Sequence, residues 1–437
     1  MKHLLTFAPI LTLALSLPAG AVAKLSPAEA KMAAAVEAGY EPSVTLLQQL
    51  VDVNSGSMNF AGVEQVGRMM RAELEPLGFK VEWKTMAAAN RAGHIFATHV
   101  GKPGTKRLLL IGHLDTVFEK DSPFQKFVRR GDQGEGPGAG DDKGGMVVML
   151  MALKAMKAVG TLKNANIEIA LTGDEEDAGD PIEVARADLI AVGKRADVAL
   201  DFEGLVTEDG RDMGSIARRS SNSWTLTATG KAGHSSRIFS TGYGDGAIYE
   251  LTRIIAAFRK DLPETNLTFN VGLIAGGQTA VVDADGVRVS ATGKTNIIPG
   301  IAIAKGDFRT LSEEQTALVK AKMSTIVARH APETGAEIKF EAGGYPAMAP
   351  TEGNRALLSA LNVVNTDLGL PEMPTLDPLK RGAGDISFVA RDVSGLAGLG
   401  PSSKGDHAPG ETVDLVSMKR QAKRAAILMT RLSGQKR

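Results

Sequence analysis

The chain has seven histidines and no cysteine. Any transition-metal site must therefore be built from imidazole and carboxylate, and thiolate ligands and cysteine nucleophiles are excluded. Two of the histidines stand in surroundings that suit such a site. His113 follows the apolar run Leu108-Leu109-Leu110-Ile111, and Asp115 comes two residues later. Side chains alternate along a strand, so His113 and Asp115 share a face. A carboxylate so placed can accept the spare imidazole N–H, fix the tautomer and make the other ring nitrogen a better ligand. Downstream, the glycine-rich stretch Gly136-Pro137-Gly138-Ala139-Gly140 delivers Asp141 and Asp142 ahead of a helical pattern. Three more polar clusters follow: Glu175/Glu176, Asp201/Glu203, and Asp406-His407 in a Gly/Pro-flanked loop. Asp201 and Glu203 share a strand face, so either can ligate. Two imidazoles with several carboxylates suit Zn²⁺, and Co²⁺ or Mn²⁺ also fit. A carboxylate shared by two ions would hold them about 3.5–4 Å apart, the core of a two-metal hydrolase. The glycines lack Walker spacing, which sets aside a phosphate loop.

These residues need elements to position them. The apolar run before His113 reads as a buried strand. Gly93–Val100 and Asn166–Leu171 read as further strands, as does Ala196–Leu200, which runs into Asp201. Gly144–Val159 is a strong helical pattern, Pro181–Val192 another, and the segment from Pro27 to Leu77 is mostly helical. Phe118–Gly140 shows no period and reads as a long ordered loop, which in a compact domain is usually functional. Strands alternating with helices predict an α/β sheet, mixed and largely parallel, with its polar residues at strand C-terminal ends where such sheets bind ligands. Near Met213 the texture changes. Trp224, Leu226 and Ala228 alternate with Ser223, Thr225, Thr227 and Thr229, the pattern of a half-buried strand. Helices over Asp245–Phe258 and Glu313–Ala328 interleave with strands near Thr268–Ile274, Ala302–Phe308 and Glu337–Glu341. That β-α-β-β-α-β order fits an inserted α+β open-faced sandwich. The expected division is 24–213 for the first part of the catalytic domain, 214–342 for the insert, and 343–437 for the second part.

The bulk numbers agree with a globular enzyme of this size. Hydrophobic residues make up 43% and charged residues 23% of 437 positions, an ordinary balance. Basic and acidic residues number 50 each, so nothing points to nucleic acid or an anionic membrane as partner. Lys2 and His3 precede an apolar run from Leu4 to Leu17, and Ala19-Gly20-Ala21-Val22-Ala23 offers the small residues of a cleavage site. Residues 1–23 therefore read as a secretory signal. No later segment is long and apolar enough to span a bilayer. The expected mature protein is exported, and periplasmic if its source is Gram-negative.

Taken together, GHLDTV, GPGAGDDKGG, TGDEE, DFEG, GKAGHSS, TNIIPG, GAGD and GDHAPGE occur in order from Leu108 to Leu415. The set resembles the M20 family of co-catalytic metallopeptidases, most closely its glutamate-carboxypeptidase branch. Each motif alone is weak, but the combination is specific. The resemblance implies two Zn²⁺ per chain, with His113 on one, His407 on the other and Asp141 bridging. It implies Glu176 as ligand to one ion and Glu203 to the other, Asp115 as the residue orienting His113, and Glu175 as the general base. It also implies a cis peptide between Asp141 and Asp142. In the insert, His234 matches a lid histidine that reaches a partner subunit's site in a homodimer, while Asn296 and Arg309 match positions that hold a substrate carboxylate. A planar guanidinium suits that task because it pairs two oxygens at once.

The activity so implied is cleavage of an amide next to a C-terminal amino acid. N-acyl-amino-acid deacylation and aminopeptidase action are alternatives on the same scaffold. A non-catalytic binding protein on a degenerate scaffold would be expected to have lost a ligand or the base, and none is missing here. The segments Asp177-Ala178-Gly179-Asp180-Pro181 and Ser235-Ser236-Arg237-Ile238-Phe239 depart from the family's small-residue versions, so no particular glutamyl substrate carries over. Asp385 in GAGD is expected to support the site through loop backbone. His94, His99 and His330 lie outside any motif and read as structural or surface residues.

Overall fold

The computed structural model describes residues 25–284 and 286–437, so the expected signal at 1–23 lies outside the described residues. A six-stranded sheet forms the centre of the molecule. Its strands are β1 (Lys80–Thr85), β2 (Gly93–His99), β3 (Arg107–His113), β4 (Asn166–Thr172), β5 (Val198–Asp201) and the short Gly395–Leu396, in the order β1-β2-β4-β3-β5 followed by Gly395–Leu396. The pairings of β3 with β4 and β5, and of β5 with the last strand, are parallel; β1–β2 and β2–β4 are antiparallel. The sheet is thus mixed and largely parallel, as the alternation of elements predicts.

The continuous apolar run of β3 is explained by burial on both faces. Leu108 and Leu110 join a large core with α1 (Pro27–Ala38), α2 (Tyr40–Val51), α3 (Phe60–Leu74), α4 (Lys143–Ala158) and the C-terminal helices Glu352–Asp367 and Leu415–Ser433. Leu109 and Ile111 point the other way, against Leu189, Val192, Ile386 and Val389. Burying each such side chain is worth about 1.5–3 kcal/mol. Helix α4 is buried along nearly its whole length, and its Met, Val, Leu and Ala sequence accordingly carries no broad polar stripe. Gly145 is required where α4 begins: a Cβ there would lie 2.0 Å from the Phe202 carbonyl oxygen.

A second, four-stranded sheet is built from β6 (Asn222–Gly230), β7 (Thr268–Gly277), β8 (Ile301–Arg309) and β9 (Thr334–Phe340), in the all-antiparallel order β7-β8-β6-β9. Helices α5 (Ala247–Asp261) and α6 (Glu313–Val327) cover one face, where Trp224, Leu226 and Ala228 are fully buried. This is the expected open-faced sandwich. A hairpin of Thr279–Val282 with Val289–Thr292 is added to it.

Two expectations need correction. Phe118–Gly140 is not a featureless loop. Val128–Arg130 and Gln133–Glu135 form a hairpin that continues into Thr412–Asp414 and Ser403–Lys404 as a small antiparallel sheet. Strands of two or three residues are too short to show a period. Pro181–Val192 is two short helices, Ile182–Ala185 and Ala187–Gly193, rather than one. Among the described residues, no helix is long and apolar enough to cross a membrane.

Candidate metal centre

Because β3, β4 and β5 run parallel, their C-terminal ends meet at one edge of the sheet, and each ends in a polar cluster. His113 closes β3, Glu175 and Glu176 follow β4, Asp201 closes β5 and Glu203 lies two residues beyond it. The glycine-rich loop brings in Asp141, and the small sheet noted above fixes the loop of His407 beside it. The Asp141–Asp142 peptide is cis. His407 has φ 65°, a left-handed conformation costing about 1–2 kcal/mol for a non-glycine residue.

Asp141 lies between the two histidines. His113 Nε2 is 3.0 Å from its Oδ1 and His407 Nε2 is 3.1 Å from its Oδ2. Glu176 Oε2 is 3.2 Å from His407 Nε2. One ligand atom each of His113, Asp141 and Glu176 lie within 4.8 Å of one another. His113 Nδ1 is 3.1 Å from the Asp115 carbonyl oxygen. Donation of Nδ1–H to that carbonyl leaves the Nε2 lone pair free for a metal. The donor chemistry therefore fits a divalent transition metal: imidazole nitrogens and carboxylate oxygens converging without a thiolate.

The Asp115 carboxylate does more than face His113, from whose Nδ1 it lies 3.4 Å. Its oxygens accept the Ser57 hydroxyl at 2.6 Å and the backbone N–H groups of Glu175 and Glu176 at 3.0 and 3.1 Å. It thus ties the first histidine to the segment that carries the two glutamates.

The charges of the centre reflect its crowding. Burial opposes ionisation of Asp141, yet hydrogen bonds with both histidines outweigh it and hold the carboxyl well below the usual range. Those with Asp141 and Glu176 lift His407 to about 11. Burial drives Glu176 up to about 7, and burial, then the Glu203 charge, pushes Glu175 well above the ordinary carboxyl range. A carboxylate raised this way is a better proton acceptor. The net excess of acid calls for positive charge, which a metal ion would supply.

Several supporting residues escaped the motif reading. Glu411, the last residue of GDHAPGE, is 1% exposed and accepts the N–H groups of Gly138, Gly140 and Asp141 at 3.2, 2.7 and 3.1 Å. Its place four residues after His407 is the one mark the sequence carries for it. Tyr345 Oη donates to the Glu175 carbonyl at 2.8 Å and accepts from Arg186. Asp385 does not bind loop backbone as expected. It accepts Arg186 Nε at 2.8 Å and the Thr172 hydroxyl at 2.5 Å, because a buried carboxylate is stable only when paired with the nearest cation. Arg218 and Arg381, both contacting Glu203, carry no sequence mark beyond their charge.

Among the described residues, none of the three insert residues has a side-chain hydrogen bond or ion pair with this cluster. His234 is exposed and its Nδ1 accepts the Ser236 N–H at 3.2 Å, which places the ring proton on Nε2 as a free donor. Asn296 lies beside the following residue, its carbonyl accepting the Ser235 N–H at 2.9 Å. Arg309 ends β8 and pairs at 3.4 Å with Asp307. His94 is buried, its Nδ1 accepting the Gly173 N–H at 3.0 Å, and His99 bonds the Ala165 carbonyl. Both serve the fold. His330 lies 3.7 Å from Glu250.

Glu411→Ala is a direct probe of the loop that presents Asp141. It leaves three backbone N–H groups without their acceptor and is expected to cost about 3 kcal/mol of stability. It should also weaken metal binding by about 10–100-fold. Urea unfolding and metal titration read the two effects; unchanged values for both would remove Glu411 from this role.

The family model described as Peptidase family M20/M25/M40 matches residues 109–431. Carboxypeptidase G2 of Pseudomonas sp. strain RS-16 is 28% identical over 404 residues, covering 90% of each chain. Succinyl-diaminopimelate desuccinylase of Acidovorax ebreus strain TPSY is 25% identical over 396 residues, covering 86% of this chain and 94% of that one. Among solved structures, aminopeptidase PepT from Bacillus cereus ATCC 10987 superposes with a TM-score of 0.70 at 18% identity, covering 90% of this chain and 98% of that one.

Proposed function

Since this chain belongs to peptidase family M20/M25/M40 and is a metal-dependent hydrolase, we propose that it is an exported zinc exopeptidase that cleaves the amide next to a C-terminal amino acid. The observation that carries the reading is the placement of two imidazole Nε2 atoms on opposite oxygens of Asp141, with Glu176 beside them. Asp141, His113, His407, Glu176 and Glu203 are the residues that would hold metal. Zn²⁺ suits them best, and Co²⁺ or Mn²⁺ suit the same donors. A bound ion supplies Lewis-acid polarisation of the scissile carbonyl and a lowered pKa for the attacking water.

The chain's own residues do the rest. Glu175 takes the proton from the attacking water and returns it to the leaving amine, its backbone pinned at N–H by Asp115 and at C=O by Tyr345. Arg309 and Asn296 receive the substrate's free carboxylate. His234, with its Nε2–H free, donates to the developing oxyanion. It is exposed and hydrogen-bonds with Ser236 rather than with the metal cluster of its own chain, which supports supply from the second subunit of a homodimer. The substrate is a small peptide or N-acyl amino acid; the likeness to a desuccinylase keeps N-acyl-amino-acid hydrolysis as the second reading.

The test is elemental analysis of the purified mature chain, with hydrolysis of a dipeptide and N-acyl-amino-acid panel with and without chelator. Bound metal and chelator-sensitive cleavage are expected, and the panel then ranks peptidase against deacylase. A chain without metal, inert even after Zn²⁺ or Co²⁺ is added back, would overturn the proposal.

A further inference from the structure

The acidic donors of the centre are not equally free. Asp141 and Glu176 meet histidines, but Glu203 is engaged by fixed cations. Arg218 Nη1 lies 2.5 Å from Glu203 Oε2 and 3.1 Å from Asp201 Oδ2. Arg381 Nη2 lies 3.3 Å from the same Glu203 oxygen. The Arg218 side chain is 5% exposed, Asp201 1% and Glu203 9%, so water screens these contacts little.

Arg218 is built into this position. Its Nε donates to the Gly382 carbonyl at 2.9 Å, and its Nη2 donates to the Ala383 carbonyl. Gly384 makes the room: a Cβ there would lie 2.2 Å from the Arg218 Cζ. A guanidinium does not lose its charge in a protein. An ion drawing on Glu203 must therefore share its carboxylate with Arg218, against like-charge repulsion, or break a buried pair.

We infer that this chain holds its metal ions unequally: one tightly, at the position Glu176 serves beside Asp141, and a second weakly, at the position Glu203 serves, because Arg218 already supplies positive charge there. The inference rests on the metal-hydrolase reading above and refines the pair of zinc ions that the family resemblance implies. Arg218 acts here as a residue setting metal occupancy, not as one that touches the reacting bond.

The experiment is titration of the metal-stripped mature chain with Zn²⁺ against a chromogenic chelator, with elemental analysis after exhaustive dialysis. One retained ion per chain is expected, with a second at least about a hundredfold weaker. Arg218→Met should bring the second site to within about tenfold of the first. Arg381→Met, which removes the more distant of the two cations, should move it in the same direction by less. The wild-type stoichiometry needs no variant, so a poorly folding Arg218→Met, recognised by circular dichroism, leaves the inference testable. Two ions of similar affinity in the wild type would overturn it while leaving a chelator-sensitive hydrolase intact. So would a folded Arg218→Met with an unchanged second site. A chain that binds no ion would overturn the hydrolase reading itself.

Discussion

Replacing Glu175 with alanine is expected to leave metal content unchanged and to lower kcat at least about a hundredfold, the low end of what a general acid–base contributes. The expectation follows from geometry. The Glu175 backbone is held by Asp115 and Tyr345, so removing the side chain does not release the segment that positions Glu176. Burial and the Glu203 charge favour protonation of the Glu175 carboxyl, which suits a group that must carry a proton between two steps. Metal analysis and steady-state kinetics on the same preparation decide the matter; near-normal turnover in the metal-loaded variant would end the assignment. The same variant tests the partner subunit. In a mixed dimer of Glu175→Ala and His234→Ala chains, one site has both residues if His234 acts across the interface. Statistical mixing then restores about a quarter of wild-type activity. No recovery from a verified mixed dimer would place His234 in its own chain's site or in none.

The second large effect is expected at Asp141. Among the described residues it alone hydrogen-bonds with both His113 and His407, so Asp141→Ala removes the residue that would be shared by two ions. Bound metal should fall to a small fraction of the parent's, and kcat/KM should drop at least about a thousandfold, equivalent to several kcal/mol of lost charge stabilisation. Asp141→Asn keeps the shape but not the charge and should behave nearly as badly. Elemental analysis reads the first effect and panel kinetics the second. Retention of full metal content by a folded Asp141→Ala would show that the ion sits elsewhere.

Much of this architecture is legible from residue order because its signals are strong. The apolar run of β3, the helical pattern of α4 and the alternation around Trp224 each follow from burial on two faces, all round, or on one face. The residues brought to the strand ends are legible for the same reason, since a parallel sheet collects its C-terminal ends at one edge. What stayed hidden depends on contacts between distant segments. The hairpin at Val128–Glu135 is too short for periodicity. Glu411 declares itself only when three N–H groups converge on it. The pairing of Asp385 with Arg186 and of Glu203 with Arg218 is set by which charges the fold buries together. An arginine doublet such as Arg218-Arg219 looks like a solvated surface pair until the chain around it is known.

The small sheet joining Gln133–Glu135 to Thr412–Asp414 has a consequence for chain entropy. Asp141 and His407 are 266 residues apart in sequence, and the insert is threaded between them. Closing a loop of that length costs about 5 kcal/mol of configurational freedom. An ion held by both residues acts as a noncovalent cross-link across the chain's two halves, so its binding energy is also folding energy. The centre that would cleave substrate would then also fasten the start of the protein to its end.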